Sequence, residues 1–337
     1  MSMESNYTQD QSCLICAFLF NCEGIGNPID LESAIAWLNN DQNDKQEFIW
    51  LHFNVANQTA ERWMRTNLKL PTAFYETLND GSRSTRIEDV DENLIAVVND
   101  VAFKFSFEPS EIATLWMNVN KSALISARAH PLHSINELRL AVKNGQGFNT
   151  PMALLIHLMK YQGDALIKIV REATQKVDGI EDELLKGTVK TKRADLGRLR
   201  RVLVRLQRLL APEPAALFRF LQVPPKWIDE SDLIELRQGT EEFSVIIRDV
   251  AALQERIKLL QEEMAAQISE ETNRSLFTLT IVTVLALPIN IITGLLGMNV
   301  GGIPLAESPH GFITILGIVV ALTCLGVGIA INRLGKG

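Results

Sequence analysis

Two stretches without a charged side chain constrain this sequence more than anything else in it. Residues 275–306 hold no Asp, Glu, Lys or Arg, and neither do residues 308–332; Glu307 alone parts them. The other 279 residues carry 72 of the 73 charges, about 26%, which is ordinary globular usage. The chain average of 22% therefore mixes a soluble body with a membrane-grade tail. A wholly soluble enzyme and a carrier with many spans both conflict with this distribution.

A membrane span needs roughly 20 apolar residues. Ser275–Met298 and Gly311–Ile331 each meet that length, and a short polar loop with Gly301, Gly302, Pro304 and Pro309 joins them. Two spans with a tight connection form a hairpin, so both chain ends lie on one side. Arg274 precedes the first span, Arg333 and Lys336 follow the second, and the loop has neither Lys nor Arg. The positive-inside rule then puts both ends in the cytoplasm and the loop outside. The start, Met1-Ser2-Met3-Glu4, has no basic region of a signal peptide, which agrees with a cytosolic body.

The first span is too polar for a simple anchor. Leu276, Thr280, Thr283, Leu287, Asn290 and Gly294 follow a 4-3-4-3-4 spacing and share one helical stripe. An amide inside a bilayer is costly unless it meets a partner or water, so Asn290 points to a bundle interior or a wet pore. Packing of small residues is the competing account of the glycines and threonines. The second span has glycines but little polarity and suits an outer, lipid-facing helix. One lining helix per chain cannot enclose a pore, so the pore alternative requires a homo-oligomer with cyclic symmetry.

The body begins with alternating elements. Strands are expected at Cys13–Phe20, Phe48–Phe53, Leu94–Val98, Ile112–Val119 and Ala123–Ala127. Helices are expected at Leu31–Asn39, Thr59–Asn67 and Thr72–Asn79. This is an α/β module over residues 1–130. Residues 131–226 turn helical. Thr150-Pro151 opens a helix whose far arm is acidic, and nine basic side chains then fall within residues 186–208. Those charges suit either an anionic partner or an antiparallel helix pair of opposite charge, interleaved with Leu196, Leu199, Leu203, Leu206 and Leu210. Pro212 and Pro214 break that helix.

No proline follows Trp227 until Pro288, and Ile246, Val250, Leu253, Ile257, Leu260 and Met264 form a heptad stripe. A helix from about Asp229 to Met298 would be roughly 105 Å long. Gly239 is its candidate interruption and Pro288 its candidate bend. Its cytosolic stalk, residues 227–274, has 12 acids and five bases, a net −7 equal to that of the whole chain. Gathered around a pore, such acid favours cations, although it also serves simple solubility.

The acidic balance argues against nucleic acid as a partner. Cys13 and Cys16 make one C-x-x-C inside an apolar run, with no second pair, so a buried strand competes there with a metal or redox role.

Gly297-Met298-Asn299 at the outer end of the first span resembles the signature of the CorA family of divalent-cation channels and transporters. The continuation Val300-Gly301-Gly302-Ile303-Pro304 resembles the zinc-transporting ZntB branch. Pro288, Trp50-Leu51-His52, Glu61-Arg62-Trp63 with Leu70-Pro71, and Leu199-Arg200-Arg201 extend the similarity over nearly the whole chain. Pro212-Glu213-Pro214 departs from it, since relatives usually show Pro-Gln-Arg there.

The resemblance implies an α/β cytosolic head, a long stalk helix and two C-terminal transmembrane helices, assembled as a funnel-shaped homopentamer in the bacterial inner membrane. The stalk is then 227–274, the spans 275–298 and 311–332, the outer loop 299–310 and the cytosolic tail 333–337. Gly297, Met298 and Asn299 would ring the pore mouth, and Thr283, Leu287, Asn290 and Gly294 would line the pore, with Leu287 a hydrophobic constriction. Neutral oxygens can hold a hydrated dication without trapping it. The transported ion is expected to be Zn²⁺, with Mg²⁺, Co²⁺ or Ni²⁺ as alternatives, and no cofactor is expected. His130, His133, His310 and Glu307 are weak metal candidates. A membrane-anchored oligomeric scaffold or sensor is the rival of another class. No phosphate loop, nucleophile elbow or paired zinc-ligand motif suggests an enzyme.

Overall fold

The strand Phe48–Asn54 has two apolar faces. Phe48 and Trp50 lie in one core, and Ile49, Leu51 and Phe53 in another. Such a strand needs cover on both sides of its sheet, and the chain supplies it. The computed structural model describes residues 13–40, 46–56, 58–80, 84–108, 110–185, 193–298 and 308–334. The chain divides into two units, Met1–Gln261 and Glu262–Gly337.

The first unit opens with β1 (Leu14–Phe20), β2 (Gly26–Pro28), α1 (Leu31–Leu38), β3 (Phe48–Asn54), α2 (Gln58–Asn67) and α3 (Thr72–Asn79). There follow β4 (Arg86–Val90), β5 (Asn93–Val101), β6 (Ile112–Val119) and β7 (Ala123–Arg128). The remaining elements are α4 (His133–Lys143), α5 (Pro151–Leu185), α6 (Arg193–Leu210), α7 (Pro212–Phe220), α8 (Glu230–Leu296) and α9 (Gly311–Leu334). One seven-stranded sheet runs β2-β1-β3-β7-β6-β5-β4. Only β3 and β7 pair in parallel; the other neighbours are antiparallel.

The expected strands and helices of the body are present, shifted by a few residues at their ends. Two short strands, β2 and β4, were not expected. Phe18 stacks on Trp50 at 5.7 Å and Phe20 on Phe48 at 4.3 Å. Burying each such side chain stabilises the head by roughly 1.5–3 kcal/mol. The Trp50 indole N–H and His52 Nδ1 both meet Ser126 Oγ at 2.9 Å, and Arg128 Nε donates to His52 Nε2 at 3.2 Å. His52 is therefore a neutral, satisfied core histidine. Burial, reinforced by Arg128 and Arg139, holds its pKa well below the ordinary value.

Three helices lie side by side at the far face. Thr150 caps α5, accepting from Ala153 N at 2.9 Å, and gives its own hydroxyl proton to Asp232 of α8 at 2.7 Å. Further along, Arg256 of α8 pairs with Asp178 and Glu181 of α5. So α5 and α8 run the same way. On α6, Arg200 reaches Gln261 at 3.2 Å and the Leu203 carbonyl accepts from Gln254 at 2.8 Å, so α6 runs the opposite way. The α6 leucines Leu196, Leu199, Leu203, Leu206 and Leu210 are buried as expected. Within the acidic arm, Asp178 and Glu181 pair with Arg256 of α8.

Gly239 does not interrupt α8, and the helix also continues through Pro288. The heptad stripe from Ile246 to Met264 is buried throughout. The Pro212–Pro214 corner is a break followed by a restart. Ala211 ends the turn, and Pro212 begins α7, where its missing N–H costs nothing.

In the second unit, α8 from Glu262 onward and α9 are the described helices. Both are long and apolar enough to cross a membrane. Along α8, Ile281, Leu285, Ile289, Ile292 and Leu296 are half-buried. A Cβ at Gly326 of α9 would stand 2.3 Å from Leu285 Cδ2, so the two helices touch where glycine permits it.

Candidate ion pathway

The proposed pore stripe and the stripe facing α9 lie on opposite sides of one helix. Thr283, Leu287, Asn290 and Gly294 are exposed, whereas Leu285 and Ile289 are half-buried against the neighbouring helix. Residues two apart on a helix point about 200° from each other, so pairs such as Leu285 and Leu287 oppose by geometry alone.

The threonines carry a further consequence. Thr280, Thr283 and Thr293 donate their hydroxyl protons to the carbonyls of Leu276, Leu279 and Ile289, at 2.8, 2.9 and 2.8 Å. Each hydroxyl is thereby fixed as an acceptor toward anything beside the helix. Pro288 has no N–H to give the Val284 carbonyl, which leaves another acceptor at mid-span. Oxygen acceptors without a charge suit a hydrated cation, whose waters supply the donors.

At the end of the span, Gly297 N donates to Thr293 O at 2.9 Å, and Gly297 and Met298 form the turn that leaves the helix. Asn299 and Glu307 lie outside the described residues. His310 is exposed one residue before α9, where its carbonyl takes the Thr314 hydroxyl at 3.0 Å. In the head, His130 is exposed and His133 half-buried at the start of α4. Among the described residues, no three His, Cys, Asp or Glu side chains gather as a metal-holding group. The structure thus brings the stripe residues onto one exposed face and gathers none of the described histidines into a group of three or more metal ligands. Cys16 is half-buried in β1, and the burial around its sulfur pushes the thiol up to about 12, so it sits there as a protonated group.

A family model described as CorA-like Mg²⁺ transporter protein matches residues 45–333. The chain belongs to the CorA family. CorA proteins are membrane transporters of divalent cations rather than enzymes, and this chain is such a transporter. It is 28% identical to the divalent cation transporter CmaX of Pseudomonas aeruginosa, over 92% of this chain and 93% of that one. It is 23% identical to the zinc transport protein ZntB of Pectobacterium atrosepticum, over 81% and 83% respectively. The solved full-length CmaX structure superposes with a TM-score of 0.80 at 25% identity, over 97% of this chain and 99% of that one. The similarity to the CorA family read from Gly-Met-Asn is therefore borne out.

One buried group escaped the sequence reading. Glu213 has no exposure, accepts from Asn99 N at 2.8 Å and Gln162 Nε2 at 2.9 Å, and sits in the first turn of α7. It replaces the strand partner that β5 lacks beyond the end of β4. Asn99 in turn donates to Leu209 O at the end of α6, at 3.3 Å. The departure at Pro212-Glu213-Pro214 is thus an anchor between the helix corner and the sheet. An acid wedged between two prolines was its only sequence signal.

Proposed function

We propose that five copies of the chain surround a pore lined by Thr283, Leu287, Asn290 and Gly294, and that the pore conducts Zn²⁺ across the bacterial inner membrane. Gly297, Met298 and Asn299 ring its outer mouth, and Leu287 is the hydrophobic constriction. Residues 1–130, 131–226 and the stalk 227–274 lie in the cytosol with both termini. The spans are 275–298 and 311–332, the loop 299–310 faces outward, and the tail 333–337 returns to the cytosol.

The supporting observation is the exposed polar stripe on the side of α8 away from α9. Exposed Asn290 within an apolar window requires water or other copies. Zinc is preferred on Val300-Gly301-Gly302-Ile303-Pro304 and on the ZntB relatives. The greater identity to a protein named only for divalent cations keeps Mg²⁺ and Co²⁺ as the second reading.

Reconstituted protein should take up Zn²⁺ faster than Mg²⁺, Co²⁺ or Ni²⁺, measured with and without a pH gradient. Asn299→Ala should abolish or sharply impair uptake while the oligomer mass stays constant. Unchanged flux in that variant would remove the mouth assignment. Faster Mg²⁺ than Zn²⁺ flux would replace the ion and keep the pore.

A further inference from the structure

An apolar groove of about 820 Å³ opens between α7 and α8. Ala215 and Phe218 on α7 and Val245 and Ile247 on α8 form its apolar lining, with Glu241 and Glu242 as its acids and Arg248 as its cation. Phe218 and Val245 stand 37% and 47% exposed, so the groove is unfilled within the protomer. Its occupant must offer an apolar side chain flanked by positive charge.

Such a surface exists on α6. Arg201, Val204 and Arg208 follow a 3-4 spacing and share one helical face. Val204 is 45% exposed, and neither arginine pairs with a carboxylate among the described residues. The inner side of α6 is already buried in its own chain, on Leu199, Val202, Leu203 and Leu206. Val204 lies on the other side, so its face is available to a different molecule and not to the groove of its own chain.

We propose that the α6 face Arg201–Val204–Arg208 of one copy seats in the α7–α8 groove of the next. Val204 meets Phe218 and Val245, and the arginines meet Glu241 and Glu242. The two surfaces differ, so the contact is head-to-tail, and repetition closes a ring when the rotation per copy fits. This rests on the pentamer proposed above and names one of its subunit contacts.

The test pairs Val204→Cys with Val245→Cys in full-length protein in membranes, with exposed Cys22 and Cys324 changed to Ser. Mild oxidation should give a ladder of covalent multimers from the pair and none from either single variant. An uncross-linked assembly of wild-type mass overturns the contact and leaves the ring standing. A wild-type chain that is monomeric by native mass overturns both. Charge reversal gives an independent readout should the cysteine pair express poorly. Arg201→Glu with Arg208→Glu should lower the fraction assembled at least several-fold, and adding Glu241→Arg with Glu242→Arg should restore it. Assembly indifferent to both reversals overturns the contact.

Discussion

The head and the apolar segment handle similar side chains in opposite ways. In the head, Ile49, Trp50, Leu51 and Phe53 have no exposure at all. In the apolar part of α8, Leu279, Val284 and Leu295 are 62%, 62% and 60% exposed. The head finishes its own burial inside one chain, sheet face by sheet face. The span does not, and in water such a surface would drive aggregation. Its missing cover has to come from lipid and from other copies, whereas the head's cover is already in the sequence.

The sharpest way to break this contrast is to truncate one side chain in each region. Trp50→Ala should destabilise the head by about 3–5 kcal/mol, the usual range for a fully buried aromatic. It also removes the indole donor to Ser126. Leu295→Ala should change the unfolding midpoint of the detergent-solubilised protein by less than about 0.5 kcal/mol. Equal losses at the two sites, by urea unfolding, would mean that Leu295 is packed in the assembled protein and that the exposed face of α8 is a subunit contact.

A second variant probes the one close approach inside the apolar unit. Gly326→Leu places a side chain where Leu285 Cδ2 already lies 2.3 Å from the first added carbon. Overpacking of this kind costs about 1–3 kcal/mol. The thermal midpoint of solubilised protein should fall, and Leu285→Ala in the same chain should recover much of it. Absence of rescue would show that α9 moves away freely, and that lipid rather than helix packing holds it.

A smaller effect, readable by pH, separates the head's self-sufficiency from its apolar burial. Burial pushes the Glu213 carboxyl well above 4.5, against the opposing bonds from Asn99 and Gln162, and Asp100 adds to the push. Burial likewise brings Asp100 up to about 6. Both acids bind a proton more tightly folded than unfolded. Their contribution is complete below the unfolded values and is lost as pH rises through the folded ones. The share of Asp100 is lost between about 4 and 6, so a decline in thermal midpoint that continues beyond that window belongs to Glu213. Glu213→Gln keeps an acceptor for Asn99 N and should flatten that decline. An identical slope in the variant would assign the pH dependence elsewhere.

These groups also show what a sequence can and cannot disclose. Strand β3 was legible as a strand from its apolar run Phe48–Phe53, but its cover on both sides shows only in the structure, where even His52 is buried. The stripe through Asn290 was legible because helical spacing places its members together whatever surrounds them. Strand β4 was not legible: its hairpin turns on Asp91-Glu92, at φ 52° and 60°, where Asn-Gly is the usual signal. The three residues of β2 are too few to show a period. Gly239 looked like an interruption because propensity counts about 1 kcal/mol against it, but packing around Phe243 and Leu236 decides the helix. Glu213 was visible only as an acid between two prolines, because burial of an acid depends on partners 51 and 114 residues away. Gly326 was visible as a glycine, but its partner Leu285 sits on the other helix.

Within the head, the smallest expected effect comes from the ion pairs of Arg256. Arg256 of α8 reaches Asp178 at 2.7 Å and also Glu181, tying α8 to α5 with two carboxylates at once. The geometry suggests strength, but Arg256 is 41% exposed and Asp178 50%, so water screens both charges. Exposed pairs are worth about 0.2–1 kcal/mol. Arg256→Met keeps the aliphatic stem against the helix and removes only the charge. The urea midpoint should therefore shift by less than about 1 kcal/mol in stability, and by less still in 1 M salt, where the screening length is about 3 Å. A loss several times larger, insensitive to salt, would mean that the carboxylates are desolvated in the assembled protein. The α5–α8 seam would then be covered by a neighbouring copy, and the head would depend on its neighbours as the spans do.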